Sequence, residues 1–362
     1  MKVFLIPKLG QKEDNAAYYI AQNLIDLLRQ AGHDCAISCP GDSGIKRATF
    51  YNAAPLPSSF LNFFKGRDDY KTYESYLYTT KQSSFSYLKE DIEMLLQAIE
   101  QYHPDLIIDL GRLAAPIVAH MKNIPLFSYV SGAMYRNHNL QKKELKELNE
   151  VLSHYKTEQV LAITDLYNYA DRRFTFGSLL LQPFPEDVEV ERFGSIAPIV
   201  ENDTSDVTVS ISITDTLQKP SVIKEIIDSS FLNAPYDVNV LYRGAQLSHE
   251  QNMKYMSSIK VDSLLGNSIC IHDGNDYLMN LCFMLAIPQI VVNDGSYLRS
   301  WNASAVSRNG VGLAIPEKEL SVQTLYETYR RIVTDDYYKN RAILLKNDLI
   351  ALGDLSEFLR LL

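Results

Sequence analysis

The chain opens with a short apolar run, a polar loop and an amphipathic helix, and the same three pieces open it again past its midpoint. Residues 2–7 (KVFLIP) read as a buried strand that Pro7 stops. A polar loop covers residues 8–15. Residues 16–30 then place Ile20, Leu24, Leu27 and Leu28 on one helical face. Gly32 suits a helix C-terminus, and residues 34–39 begin a second strand. A strand–loop–helix–strand unit of this kind builds a parallel, doubly wound sheet with helices on its faces.

The rhythm continues. A helix is expected over 88–102, carrying Ile92, Leu95, Leu96 and Ile99, and His103-Pro104-Asp105 breaks it. LIIDL (106–110) reads as a strand, 114–121 as a short helix with Asn123 as its stop, and 124–130 as a strand. Residues 140–155 form a charged amphipathic helix, and 160–164 and 178–181 read as short strands. Residues 195–206 (SIAPIVENDTSD) are polar and aperiodic, which marks a linker. Beyond it come strands at 207–213, 238–243, 268–272, 289–293 and 313–315. Helices are expected at 221–231, 277–285, 320–334 and 337–352, the last extending in an amphipathic pattern to 362.

A chain of 362 residues that is 46% hydrophobic has room for two domains, each with its own core. Net charge is −9, from 44 acidic and 35 basic residues, which argues against non-specific nucleic-acid binding. The opening apolar run is too short for a signal peptide, and no run reaches the ~18 residues of a spanning helix. Four cysteines, Cys35, Cys39, Cys270 and Cys282, are too few for a disulfide scaffold, so a soluble cytoplasmic protein with reduced thiols is expected. Cys35 and Cys39 lack a second ligand pair nearby, which argues against zinc.

Three stretches resemble glycosyltransferases of the GT-B architecture, of the UDP-glycosyltransferase and MurG-like type. Residues 268–315 are similar to the family's donor segment, with His272-Asp273-Gly274, Pro288, Asn302-Ala303 and Gly310-Val311-Gly312 in order. Residues 104–125 are similar to the strand–helix–strand that closes the family's N-terminal core. Residues 191–219 resemble its interdomain approach and the first donor-domain strand. The resemblance implies two Rossmann-like doubly wound domains facing across a cleft. It also implies an acceptor-binding domain (1–195), a nucleotide-sugar-binding domain (206–345) and a C-terminal helix (346–362) crossing back to the first.

The residues make a physical case beside the resemblance. His272 ends a strand, and Gly274 and Asn275 begin a helix, whose N-terminal N–H groups suit an anion. Gly274 lets a diphosphate approach the backbone, and His272 could donate to a phosphate oxygen. The implied donor set is Thr214, Thr216, Arg243, His272, Gly274, Asn275, Asp294 and Asn302. Departures are visible. Asp273 and Asp215 stand where the family has glycine; Asp273 would repel a diphosphate unless it points outward or pairs with Lys or Arg. The family's sugar-contacting pair falls on Leu298 and Arg299, with Asp294 as a substitute. VDSLL (261–265) replaces the family's base-binding segment. The loop after the first strand lacks the family's His, so Glu13 or Asp14 would serve as general base, with Asp109 as an orienting partner or a structural hydrogen-bonding group. His33 reads as structural. Residues 50–87 are rich in Phe and Tyr, interleaved with Lys65, Arg67, Lys71 and Lys81, which fits helix packing, an acceptor cleft or peripheral contact with an anionic membrane.

The resemblance thus implies an inverting, metal-independent transferase. It would use a nucleotide-diphospho-sugar and no further cofactor, with a small-molecule, glycan or protein acceptor. The alternative is a catalytically inactive GT-B paralogue that acts as partner or activator of an active transferase; a sugar-nucleotide epimerase is a third reading. A dinucleotide dehydrogenase is disfavoured, because neither half has G-x-G-x-x-G after its first strand.

Overall fold

The computed structural model describes residues 1–9, 16–40, 44–57, 71–136, 142–195, 208–214, 216–257 and 261–362. The chain forms two compact units. The first comprises Met1–Phe176, Gln182–Ile196 and Leu355–Leu362; the second comprises Gly177–Leu181 and Ala197–Asp354.

In the first unit the order is β1 (Lys2–Pro7), α1 (Ala16–Gln30), β2 (Asp34–Ser38), β3 (Thr49–Tyr51), α2 (Tyr73–Thr79), α3 (Phe85–Tyr102), β4 (Leu106–Leu110), α4 (Ala114–Lys122), β5 (Leu126–Tyr129), α5 (Lys142–His154), β6 (Arg172–Phe176) and β7 (Glu191–Phe193). The strands pair in parallel in the order β3-β2-β1-β4-β5-β6-β7. Alternation along the strands sends Val3, Leu5, Cys35, Ile37 and Ile108 to one face, where they meet Leu24, Ile25 and Leu28 of α1. Each such side chain is fully buried, stabilising the unit by about 2 kcal/mol. Asn123 caps α4 in the left-handed region (φ 51°), its N–H donating to the carbonyls of Ala119 and His120.

The second unit contains β8 (Thr208–Ile213), α6 (Pro220–Phe231), β9 (Asp237–Tyr242), β10 (Ser248–Glu250), β11 (Met253–Tyr255), α7 (Val261–Leu264), β12 (Asn267–His272), α8 (Asp276–Met284), β13 (Gln289–Asn293), α9 (Tyr297–Arg308), β14 (Gly312–Pro316), α10 (Val322–Val333) and α11 (Asp336–Ala351). Its sheet runs β10-β11-β9-β8-β12-β13-β14, parallel except for the β10–β11 pair. Gly312 sits opposite Gln289 in the β13–β14 ladder, and a Cβ there would lie 1.9 Å from the Gln289 carbonyl oxygen. This glycine of the Gly-x-Gly is therefore demanded by strand packing.

Several expectations are corrected. Residues 160–164 and 178–181 are not strands: Ile163–Tyr169 is a 3-10 helix, and 178–181 is a turn. The strand of that region is β6, whose paired arginines precede three buried residues and mask its alternation. Helix α9 lies where no helix was expected; its Asn, Ser and Arg residues dilute the apolar face. The helix expected to reach 362 stops at Ala351, ahead of Gly353 (φ 83°). Leu355–Leu361 then forms a 3-10 helix within the first unit. There Phe358 is fully buried, its ring centroid 5.0 Å from Phe174 and 5.8 Å from Phe193.

Each sheet winds outward from its first strand and then returns to that strand's other side. Thus β1 lies between β2 and β4, and β8 between β9 and β12. Loops leave in opposite directions at the C-terminal ends of such strands, which opens a crevice suited to ligands.

Candidate functional site

At the second unit's crevice, β12 ends in His272, and its turn into α8 is tied down on every side. The His272 ring is fully buried. The Gly274 N–H donates to Nδ1 at 3.0 Å, so Nε2 carries the proton and donates to Gln289 Oε1 at 2.8 Å. Burial lowers the pKa of His272, in keeping with a neutral ring. Gly274 has φ 83°, and a Cβ there would press on the Arg299 stem at 3.2 Å, so both backbone angle and space call for glycine. Asn275 caps α8, its side chain accepting from the Leu278 N–H at 3.0 Å. From α9, the fully buried Asn302 donates to the Gly274 carbonyl at 2.9 Å and to Asp276 Oδ1 at 2.7 Å.

The loop leaving β8 is drawn onto this turn. Asp273 accepts from the Thr214 N–H at 3.0 Å and the Thr214 hydroxyl at 3.2 Å, and Arg299 lies 3.5 Å from the same carboxylate. The carboxylate is 3% exposed, so its charge is balanced inside the protein by Arg299 and the Thr214 donors. Further along the loop, Glu317 accepts from the Thr216 hydroxyl, from the Leu217 N–H at 2.6 Å and from the Gln218 N–H at 3.0 Å, all on one oxygen.

The first unit's crevice, where β1 and β4 part, is polar and buried. Asp109 Oδ1 accepts from the N–H groups of Gly111 and Arg112, each at 2.8 Å. Its Oδ2 has no hydrogen-bond partner among the described residues. Burial pushes the carboxyl up to about 7, against the lowering effect of those two N–H groups. Arg112 pairs with Asp91 of α3 (Nε to Oδ2, 2.9 Å) and donates to the Ser38 hydroxyl at 2.9 Å and carbonyl at 3.1 Å. The pair is almost wholly buried, at 4% and 1% exposure. It joins α3, β2 and β4 beneath the crevice.

Of the expected donor residues, Thr214, His272, Gly274, Asn275 and Asn302 meet around one turn. Thr216 belongs to the adjoining loop through Glu317. Two roles change. His272 does not present a proton to a phosphate, because both ring nitrogens are engaged inside the sheet; it sets the shape of the turn. Asp273 pairs with Arg299, the position where a sugar contact was expected. Arg243 is exposed just past β9 and takes no part in the turn's hydrogen bonds. Asp294 accepts from the Ser296 N–H at 2.9 Å in the turn ahead of α9. Glu13, Asp14 and Asp215 lie outside the described residues, as do Phe60, Phe63, Phe64, Lys65, Arg67 and Tyr70. Sequence reasoning missed Glu317, Arg112 and Asp91. Asp91 carried a signal, since it falls three residues after Leu88 on the apolar stripe of α3; Glu317 carried none. The four cysteines are buried and free. No helix among the described residues is long and apolar enough to cross a membrane.

The architecture is that of two-domain GT-B glycosyltransferases. No protein-family model matches the chain, and no curated protein does. Solved structures do match over the whole length. The spinosyn rhamnosyltransferase SpnG is 14% identical, with a TM-score of 0.75 over 99% of both chains. SpnG has also been solved with thymidine diphosphate and with spinosyn aglycone. The glycosyltransferase VinC in complex with dTDP is 16% identical, with a TM-score of 0.68 over 99% of this chain and 98% of its own. SsfS6, a glycosyltransferase of Streptomyces sp. SF2575, is 14% identical, with a TM-score of 0.69 over 100% and 99%.

Proposed function

We propose that the chain moves a sugar from a nucleoside-diphospho-sugar to a hydroxyl of a small-molecule acceptor. The observation that carries this reading is the glycine-requiring turn at the β8–β12 crevice, in a chain that shares its fold with SpnG and VinC along its full length. In this reading the N-terminal end of α8 supplies positive potential to the diphosphate. Transfer proceeds with inversion and without a metal ion. The acceptor hydroxyl gives its proton to Glu13 or Asp14, its oxygen bonds to the anomeric carbon, and the bond to the β-phosphate oxygen breaks with its electron pair leaving on the nucleotide. The neighbours' bound thymidine diphosphate and aglycone favour a nucleotide donor and a small acceptor.

One observation favours a second reading, an inactive GT-B chain that supports a partner transferase. Asp273 and Glu317 already engage donors of Thr214, Thr216, Leu217 and Gln218, and both nitrogens of His272 are committed. The test is release of free nucleoside diphosphate from UDP-, TDP- and GDP-sugars by the purified chain, with a panel of phenolic and alkyl hydroxyl acceptors. Acceptor-dependent release supports the transferase. Binding of a nucleotide sugar with no release from any pair supports the partner reading.

A further inference from the structure

Glu317 follows β14, at the far edge of the second sheet, yet it holds the loop that leaves β8. Two strands, β12 and β13, lie between β8 and β14. Three strand spacings of about 4.8 Å place the two strands roughly 14 Å apart. The loop and the Glu317 side chain must therefore close across the ends of β12 and β13, beside the His272-Asp273-Gly274 turn. The contact is built for an anion: a hydroxyl and two successive backbone N–H groups converge on Oε1, and Glu317 is 6% exposed. The Gln218 side-chain N–H also donates to the Glu317 carbonyl at 3.1 Å. The same loop carries Thr214, whose N–H and hydroxyl hold Asp273.

We propose that Glu317 is a positioning residue for nucleotide binding: a built-in anion that fills the nest on the β8–α6 loop and so holds Thr214 against the β12–α8 turn. The inference rests on the nucleotide-sugar reading above. It assigns Glu317 an effect on donor affinity through the loop, with no contact to donor.

Glu317→Ala leaves the Thr216 hydroxyl and the Leu217 N–H without their acceptor and the Gln218 N–H with only Thr216 Oγ1, so Asp273 on Thr214 is the carboxylate that still holds the loop. Glu317→Gln keeps an acceptor oxygen in place. Calorimetric titration with the nucleoside diphosphate that the parent binds best reads the effect. The expected result is a Kd about tenfold or more weaker in Glu317→Ala and within about threefold of the parent in Glu317→Gln. Acetate, a small carboxylate able to refill the nest, should restore much of the affinity of Glu317→Ala, whereas chloride should not. A control with a damaged core but an intact loop is Leu325→Ala in α10, where a fully buried side chain is removed. It should melt lower and keep the parental Kd.

Parental affinity in Glu317→Ala, or an equal loss in Leu325→Ala, overturns the inference and leaves the reading of the site standing. If Glu317→Ala does not fold, Glu317→Asp replaces it: the side chain is one methylene shorter and cannot reach all three donors, so parental affinity there overturns the inference equally. A parent that binds no nucleotide fails before any variant is compared, and it overturns the reading of the site together with the inference.

Discussion

Replacing Asp109 by Asn should stabilise the protein at neutral pH and flatten its pH dependence. The carboxyl is fully buried, and burial raises its pKa from the ordinary 3.8 to about 7. A group raised in the folded state binds its proton more tightly there than in the unfolded chain. Its stabilising contribution is full below pH ~4 and is lost as pH rises through about 7. Three units at 1.36 kcal/mol each give a loss of roughly 4 kcal/mol across that window, of which roughly 3 kcal/mol falls above pH ~5. Asn keeps the Oδ1 that accepts from Gly111 and Arg112 and carries no charge to desolvate. Urea unfolding of parent and variant at about pH 5 and about pH 8 measures the effect. The difference in unfolding free energy, variant minus parent, should grow by about 3 kcal/mol between the two. The neutral, buried His272 contributes an opposite slope below pH ~6.5, but equally in both proteins, so it cancels. A difference that does not change with pH would show instead that burial does not hold a proton on Asp109.

Other substitutions separate the roles within the second unit. Gly312→Ala should yield no soluble folded protein, because the new methyl overlaps the Gln289 carbonyl; a normal melting curve would contradict the packing argument. Gly274→Ala should cost about 2 kcal/mol of unfolding free energy from its left-handed backbone alone, read by urea denaturation, and an unchanged midpoint would contradict it. His272→Phe leaves the Gly274 N–H and the Gln289 amide unpaired and should cost about 2–5 kcal/mol; a parental midpoint would show that the ring is not the clamp described. The four thiols are buried, with Cys35 pushed up to about 11, so a thiol reagent should label the native protein slowly and the denatured one completely. Rapid native labelling of any of them would contradict this.

The sheet-forming strands were legible because most are short apolar runs bounded by breakers, as with KVFLI before Pro7 and LIIDL after Pro104. The missed elements obscure their own pattern. In β6 two arginines open the strand; β3, β7, β10 and β11 span only three residues each. The turn at Gly274 was legible because a glycine between a strand and a capping Asn has few other uses. The working state of His272 was not. Whether a strand-end ring faces a ligand or the sheet depends on Gln289, a partner seventeen residues away. Glu317 was invisible for the same reason, since its partners lie about a hundred residues earlier in the chain. Asp273 illustrates the converse. Read alone it is a charge that repels a diphosphate; beside Arg299 and Thr214 it is a strut.

If the β8–β12 crevice holds the nucleotide of a sugar donor, calorimetric titration of the purified chain with TDP, UDP and GDP will show saturable binding of at least one of them at one site per chain. That binding should be lost in Asn302→Asp, which sets a second carboxylate against Asp276 and removes the bond to the Gly274 carbonyl. No binding by the well-folded parent, or undiminished binding by a folded Asn302→Asp, would contradict that reading of the crevice.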